Sequence, residues 1–183
     1  MILLTGFEPF GGRTINRSWE TVQRVQADTE RVQLPVDFEK LARIVPEWMA
    51  RRPDAVLLVG EAPQDCVTVE TIALNVIHDR RSDNAGRQIE FAPVRENRPL
   101  ALPATWNAIA VADAIDRAGA PVEVSHHAGT YACNAALYHA LDAASELALR
   151  APIGFLHVPA NRWLGCSTNL LARAIEAALR ALR

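Results

Sequence analysis

Few residues in this chain have the capacity for covalent chemistry. The cysteines are Cys66, Cys133 and Cys166. Cys133 follows a Gly129-Thr130 turn and opens an alanine- and leucine-rich stretch whose composition predicts a helix from Ala132 to Leu149. A helix N-terminus presents unpaired N–H groups and a partial positive charge. Both favour a thiolate, and the same N–H groups suit the oxyanion of a tetrahedral intermediate. A buried cysteine acting as a small hydrophobe fits the same position, so position alone does not decide.

A thiolate nucleophile needs a base and a group that orients the base. His157 lies near the end of the apolar run Ile153-Gly154-Phe155-Leu156-His157-Val158. In open α/β sheets, sites form beyond the carboxyl ends of strands. The turn before Cys133 also follows a predicted strand, so His157 and Cys133 are expected to meet at one sheet edge. A strand-end histidine bonded only to a loop is the plainer alternative. Glu70 sits within Val67-Thr68-Val69-Glu70-Thr71-Ile72. It either faces water on an edge strand or is paired inward. His126, His127, Cys133 and His139 do not make a metal set: on a helix, Cys133 and His139 stand about 120° apart. No metal or organic cofactor is expected.

Composition narrows the field further. The chain has 183 residues, a length that suits one domain spanning 1–183. Hydrophobic residues make up 50% and charged residues 22%, ordinary proportions for a globular protein. The net charge of -2 gives no electrostatic reason to bind nucleic acid or an acidic membrane. Lys40 is the only lysine, which removes a phosphate-loop lysine and leaves no well-placed Schiff-base candidate. The three cysteines lack the short paired spacing of a disulfide or zinc framework. The opening Met1-Ile2-Leu3-Leu4 is too short for a signal peptide, and no run approaches a membrane span. A cytoplasmic protein with reduced thiols is expected.

The elements that must position these residues alternate. Strands are predicted at Ile2–Thr5, Val32–Val36, Ala55–Val59, Val67–Val76, Val122–Ser125 and Ile153–Val158. Helices are predicted from the Asn16-Arg17-Ser18 turn to Val25, then over Phe38–Arg51, Trp106–Arg117, Ala132–Leu149 and Asn169–Leu182. Residues 87–105, with Pro93, Pro99 and Pro103, carry no clear period. Strand and helix in alternation mean an α/β fold, a mainly parallel or mixed sheet between helices.

Four segments, taken together, resemble one family, the pyroglutamyl peptidase I (pyrrolidone carboxyl peptidase) cysteine peptidases. They are Thr5-Gly6-Phe7-Glu8-Pro9-Phe10-Gly11-Gly12 with Asn16; Glu70 with Ala73, Asn75, Arg80, Asp83, Asn84 and Gly86; Ser125 and Ala128 through Asn134, with Tyr138; and Gly154 through Pro159. The resemblance implies a triad of Glu70, Cys133 and His157, and removal of N-terminal pyroglutamate from small peptides. It implies an apolar lactam pocket from Phe7 and Phe10, an anchor at Asn16, a further substrate contact at Tyr131, and Arg80 beside the oxyanion. It also implies a homodimer or homotetramer. The chain departs from the family at Arg81 and Ser82, where an apolar residue and proline are usual, at Glu61-Ala62-Pro63-Gln64-Asp65, at Ala132, and at Ala160-Asn161-Arg162-Trp163. A cysteine amidohydrolase for another small cyclic or N-blocked amide, and a silent protein that binds lactams or peptide termini, are the rival functions.

Overall fold

The computed structural model describes residues 1–161 and 166–182, so Arg162 and Trp163 lie outside the described residues. In chain order the elements are β1 (Ile2–Phe7), α1 (Arg17–Val22), β2 (Glu30–Leu34), α2 (Phe38–Met49), β3 (Ala55–Ala62), β4 (Val67–Glu70) and β5 (Ile72–Leu74). They continue with β6 (Ala101–Pro103), α3 (Ala108–Arg117), β7 (Val122–Ser125), α4 (Ala132–Glu146), β8 (Ile153–Pro159) and α5 (Thr168–Ala181).

Six strands form one sheet in the order β2-β1-β3-β8-β4-β7. All neighbours run parallel except β4 and β8, which pair antiparallel. The central strands β1, β3 and β8 are apolar nearly throughout because both faces are covered by helices. Side chains alternate between the two faces. Leu3, Phe7, Val56, Leu58, Ile153 and Phe155 point to the layer of α2 and α4. Leu4, Leu57, Val59, Leu156 and Val158 point to the layer of α1, α3 and α5. The expected α/β fold with a mixed sheet between helices is the one observed.

Two predicted elements need correction. The expected strand Val67–Val76 is broken at Thr71. There the backbone N–H and the hydroxyl both bond to the Ser125 carbonyl, at 3.1 and 2.8 Å. Beyond the break, β5 leaves the main sheet and pairs antiparallel with β6, a short strand drawn from the region without a period. The expected stop of β3 at Val59 also fails. The strand continues through Gly60 to Ala62 because β8 pairs with it as far as Pro159. Helix ends are otherwise trimmed by a few residues: α1 ends at Val22, α2 at Met49 and α4 at Glu146.

Candidate active site

The register of three strands places the site. Gly60 of β3 pairs with His157 of β8, and His157 pairs with Thr68 of β4. Paired residues share a face of the sheet, and on an antiparallel pair the diagonal neighbour two residues away lies within side-chain reach. Glu70 is that neighbour. Its Oε1 lies 2.8 Å from His157 Nδ1. The Thr68 hydroxyl donates to the same oxygen at 2.6 Å. Glu70 is therefore paired inward, not solvated. Behind it the Trp106 indole donates to the Glu70 carbonyl at 3.2 Å, packed over Gly154, where any Cβ would overlap the ring.

Cys133 arrives from the other direction. It is the second residue of α4, whose N-cap Tyr131 offers no side-chain hydrogen bond to the first turn. The leading N–H groups of the helix thus stay available at the site. The Cys133 Sγ lies over the backbone of Gly60, so close that a Cβ there would stand 2.7 Å from the sulfur. Glycine is required at this position for room, not for an unusual φ. The expected reason for the meeting of Cys133 and His157 was wrong, however. β7 runs antiparallel to β8, so their carboxyl ends do not share an edge. The thiol reaches the histidine because the loop from His126 to Tyr131 returns α4 across the sheet face.

Asn134, the next residue, fixes that return. It is fully buried, accepts from the Leu74 N–H at 2.7 Å, and donates to the carbonyls of Leu74 and Val76 at 2.8 and 3.0 Å. The helix start is thereby tied to the chain just beyond the break at Thr71.

The electrostatics bind the three groups into one unit. Burial works against an imidazolium at His157, but the electrostatic interaction and hydrogen bond with Cys133, then those with Glu70, outweigh it and lift its pKa to about 9. Burial likewise opposes a charged Glu70, yet the His157 hydrogen bond and charge hold the carboxyl below its usual range. Both shifts favour a protonated His157 paired with a charged Glu70 and set beside Cys133, an arrangement that can activate a cysteine nucleophile.

The triad opens on a cavity of about 400 Å³. Phe7, Phe10, Asn16 and Tyr131, all expected at the substrate, line it. Phe7 is buried against Phe155, so it forms the floor. Phe10 and Tyr131 face one another with centroids 6.0 Å apart. Asn16 serves two roles: it caps α1 by accepting from the Ser18 N–H at 3.0 Å, and it donates to the Glu8 carbonyl at 3.0 Å beside the cavity.

Arg80 does not line the cavity; it is exposed. The guanidinium that reaches the cavity belongs to Arg81. The chain turns at 78–82, where Asp79 holds the Arg81 N–H and side chain and the Tyr131 hydroxyl donates to the Ser82 carbonyl at 2.8 Å. That turn lays the Arg81 guanidinium over Tyr131 at the rim of the cavity, its side chain still 57% exposed, and leaves Arg80 off the cavity. Asp79 and Val36 also line the cavity and carried no functional signal in the sequence, and Gln64, marked there only within a departure from the family, lines it too. His139 is buried on α4 outside the cavity, where burial pushes its pKa down to about 4. Among the described residues no cluster of three His, Cys, Asp or Glu side chains is placed to hold a metal ion.

A model of the pyroglutamyl peptidases matches residues 1–163. The chain belongs to the pyroglutamyl peptidase family. It is 42% identical over 165 residues to the pyrrolidone-carboxylate peptidase of Thermococcus kodakarensis, a match covering 86% of this chain and 80% of that one. The pyrrolidone-carboxylate peptidase of Streptococcus suis is 36% identical and covers 99% of this chain and 91% of its own. Among solved structures, the pyrrolidone carboxyl peptidase from Thermus thermophilus superposes with a TM-score of 0.91, at 35% identity and complete coverage of both chains. The pyroglutamyl peptidase I of Bacillus amyloliquefaciens gives 0.91 at 30% identity, covering 99% of this chain and 93% of that one. This member of the family is an enzyme, a cysteine peptidase.

Proposed function

We propose that this protein removes N-terminal pyroglutamate from small peptides by acyl transfer through Cys133. The observation that carries the proposal is the convergence of Cys133, His157 and Glu70 on a cavity walled by Phe7, Phe10 and Tyr131. The thiolate attacks the carbonyl that joins pyroglutamate to the next residue. The leading N–H groups of α4 receive the negative charge on the carbonyl oxygen. His157 gives its proton to the departing amine, the carbon–nitrogen bond breaks, and a thioester remains on Cys133. Water, deprotonated by His157, then attacks the thioester and releases pyroglutamate. Glu70 holds the imidazole by its Nδ1, which turns Nε2 toward the reacting atoms.

The cavity suits an uncharged ring. A lactam brings no ammonium or carboxylate that must lose water against aromatic walls, a loss that costs several kcal/mol for an open-chain residue. Relatives bearing the name pyrrolidone-carboxylate peptidase support the substrate. We further propose a cytoplasmic setting, which keeps the thiol reduced, and a homodimer or homotetramer, supported by the exposed Phe91 and Leu100.

The test is hydrolysis of a fluorogenic pyroglutamyl amide by the reduced protein. Turnover that is abolished in Cys133→Ser is expected. Undiminished hydrolysis by Cys133→Ser would remove the mechanism, and cleavage of an acetyl amide in preference to the pyroglutamyl amide would remove the substrate.

A further inference from the structure

Among the described residues that line the cavity, one arginine stands out. Asp79 Oδ1 accepts from the Arg81 backbone N–H at 2.8 Å and from Nε at 2.9 Å, and its Oδ2 accepts from Nη2 at 2.6 Å. The guanidinium lies over the Tyr131 ring, 4.5 Å from its centroid, and 5.9 Å from that of Phe10. Asp79 takes one edge of the planar fork. Nη1, on the opposite edge, hydrogen-bonds no described residue. Cys133 lines the same cavity, near enough to interact electrostatically with Arg81. A donor edge is thus oriented by a carboxylate and by stacking on Tyr131 at the rim of the cavity that holds Cys133, with the side chain 57% exposed before a ligand covers it.

We propose that Arg81, oriented by Asp79, selects the acyl group by donating to an oxygen acceptor on it, which for the proposed substrate is the lactam carbonyl. This rests on the acyl-transfer function proposed above. Two classes of oxygen acceptor offer themselves, a neutral carbonyl and a carboxylate. Asp79 separates them. It already neutralises the guanidinium, and a second carboxylate would be brought up against it. A neutral carbonyl meets no such repulsion. An acyl ring without any acceptor would exclude water from Nη1 and leave it unpaired, which a polar site penalises strongly. Arg81 is a specificity-determining residue, and Asp79 is a positioning residue for it.

The experiment compares pyroglutamyl, cyclopentanecarbonyl and glutaryl amides of one fluorogenic amine. The second has the ring without the acceptor; the third ends in a carboxylate. Wild-type protein is expected to favour the pyroglutamyl amide over both in kcat/KM. Arg81→Met keeps the length without donors and is expected to lower the pyroglutamyl-to-cyclopentanecarbonyl ratio by roughly 10- to 100-fold. Arg81→Lys, which restores a donor, is expected to recover part of it. A ratio unchanged in Arg81→Met would mean that Arg81 only packs against Tyr131, and would overturn the proposal. A wild-type preference for the glutaryl amide would overturn the choice of a neutral acceptor.

Absence of turnover on all three amides would instead strike the acyl-transfer function. Titration of Cys133→Ala protein with a pyroglutamyl peptide amide then decides the inference separately. Binding that weakens roughly 10-fold or more when Arg81→Met is added supports it. No binding, or binding indifferent to Arg81, ends it.

Discussion

Gly60→Ala is the most direct test of how Cys133 is seated. Gly60 lies in the middle of β3, paired on one side with His157, and its φ is not positive. Alanine therefore suits its backbone, and the whole effect comes from space. The added methyl would stand 2.7 Å from Cys133 Sγ, 2.8 Å from Phe155 Cζ and 3.0 Å from Phe155 Cε1. The strand is held in a sheet with neighbours on both sides and cannot withdraw. Phe155 is fully buried and cannot swing clear. The sulfur is the atom with freedom, and it must retreat by about 1 Å, a displacement that commonly costs on the order of 100-fold in rate. Overpacking against Phe155 adds a destabilisation of about 1–3 kcal/mol. The expected result is a fall in kcat/KM on a pyroglutamyl amide of about two orders of magnitude, with slower alkylation of Cys133 by iodoacetamide. Gly12→Ala, at an exposed turn with open space around it but a positive φ, reports backbone strain without touching the sulfur. If Gly60→Ala retains activity within a few-fold of wild type, the close seat of the sulfur is not what positions it.

Two further outcomes follow from the same geometry. His157 has a pKa of about 9 in the folded protein against an ordinary 6.5. Its contribution to stability is therefore complete below about 6.5 and is lost as pH rises through about 9. Urea unfolding midpoints should fall across that interval, kcat/KM should decline as pH rises through the upper end, and Cys133→Ala should move the stability loss to lower pH; a flat midpoint from pH 6.5 to 9 would refute the coupling. Asn134→Ala strips partners from the Leu74 N–H and from the carbonyls of Leu74 and Val76. It should cost about 2–4 kcal/mol in urea unfolding, and a loss below 1 kcal/mol would show that water replaces the side chain.

How much of this was legible in the sequence follows from the range of each signal. Apolar runs such as Ala55–Val59 and Ile153–Val158 announce buried strands by themselves. The amide and hydroxyl caps at Asn16, Asn107 and Ser167 mark three helix starts locally. The break at Thr71 is not local. Val67–Val76 is uniformly rich in strand formers, and what stops it is a pair of bonds to Ser125, 54 residues away. The distinction between Arg80 and Arg81 is similarly remote, because two adjacent arginines look alike until the turn held by Asp79 and by the Tyr131 hydroxyl decides which one reaches the cavity. In the sequence Gly60 merely follows the apolar run Ala55–Val59; its real constraint is a sulfur atom from another layer.

The antiparallel pairing of β4 with β8 accounts for the geometry of the triad. In an all-parallel sheet each connection crosses over a face, and neighbouring strands arrive at the same edge with their carboxyl ends together. Here Thr68 stands opposite His157 and Glu70 opposite Phe155, all on the face beneath α4. Glu70 thus approaches His157 from within the sheet, as a cross-strand neighbour fixed by ladder hydrogen bonds. It does not depend on a loop. Thr68, in the same strand, fixes the carboxylate from a second side. The opposite orientation of β7 then obliges the chain to double back after Ser125, and that return lays the N-terminus of α4 over Gly60 and His157. The carboxylate and imidazole are thereby rigid parts of the core, and the thiol rests on a strand that has no side chain at that point. Phe10 and the 78–82 turn with Asp79 and Arg81 lie on loops at the cavity instead, where the proposed function puts the acyl group. Substitutions in those loops should therefore alter which amide is chosen while leaving the pairing of His157 with Glu70 intact.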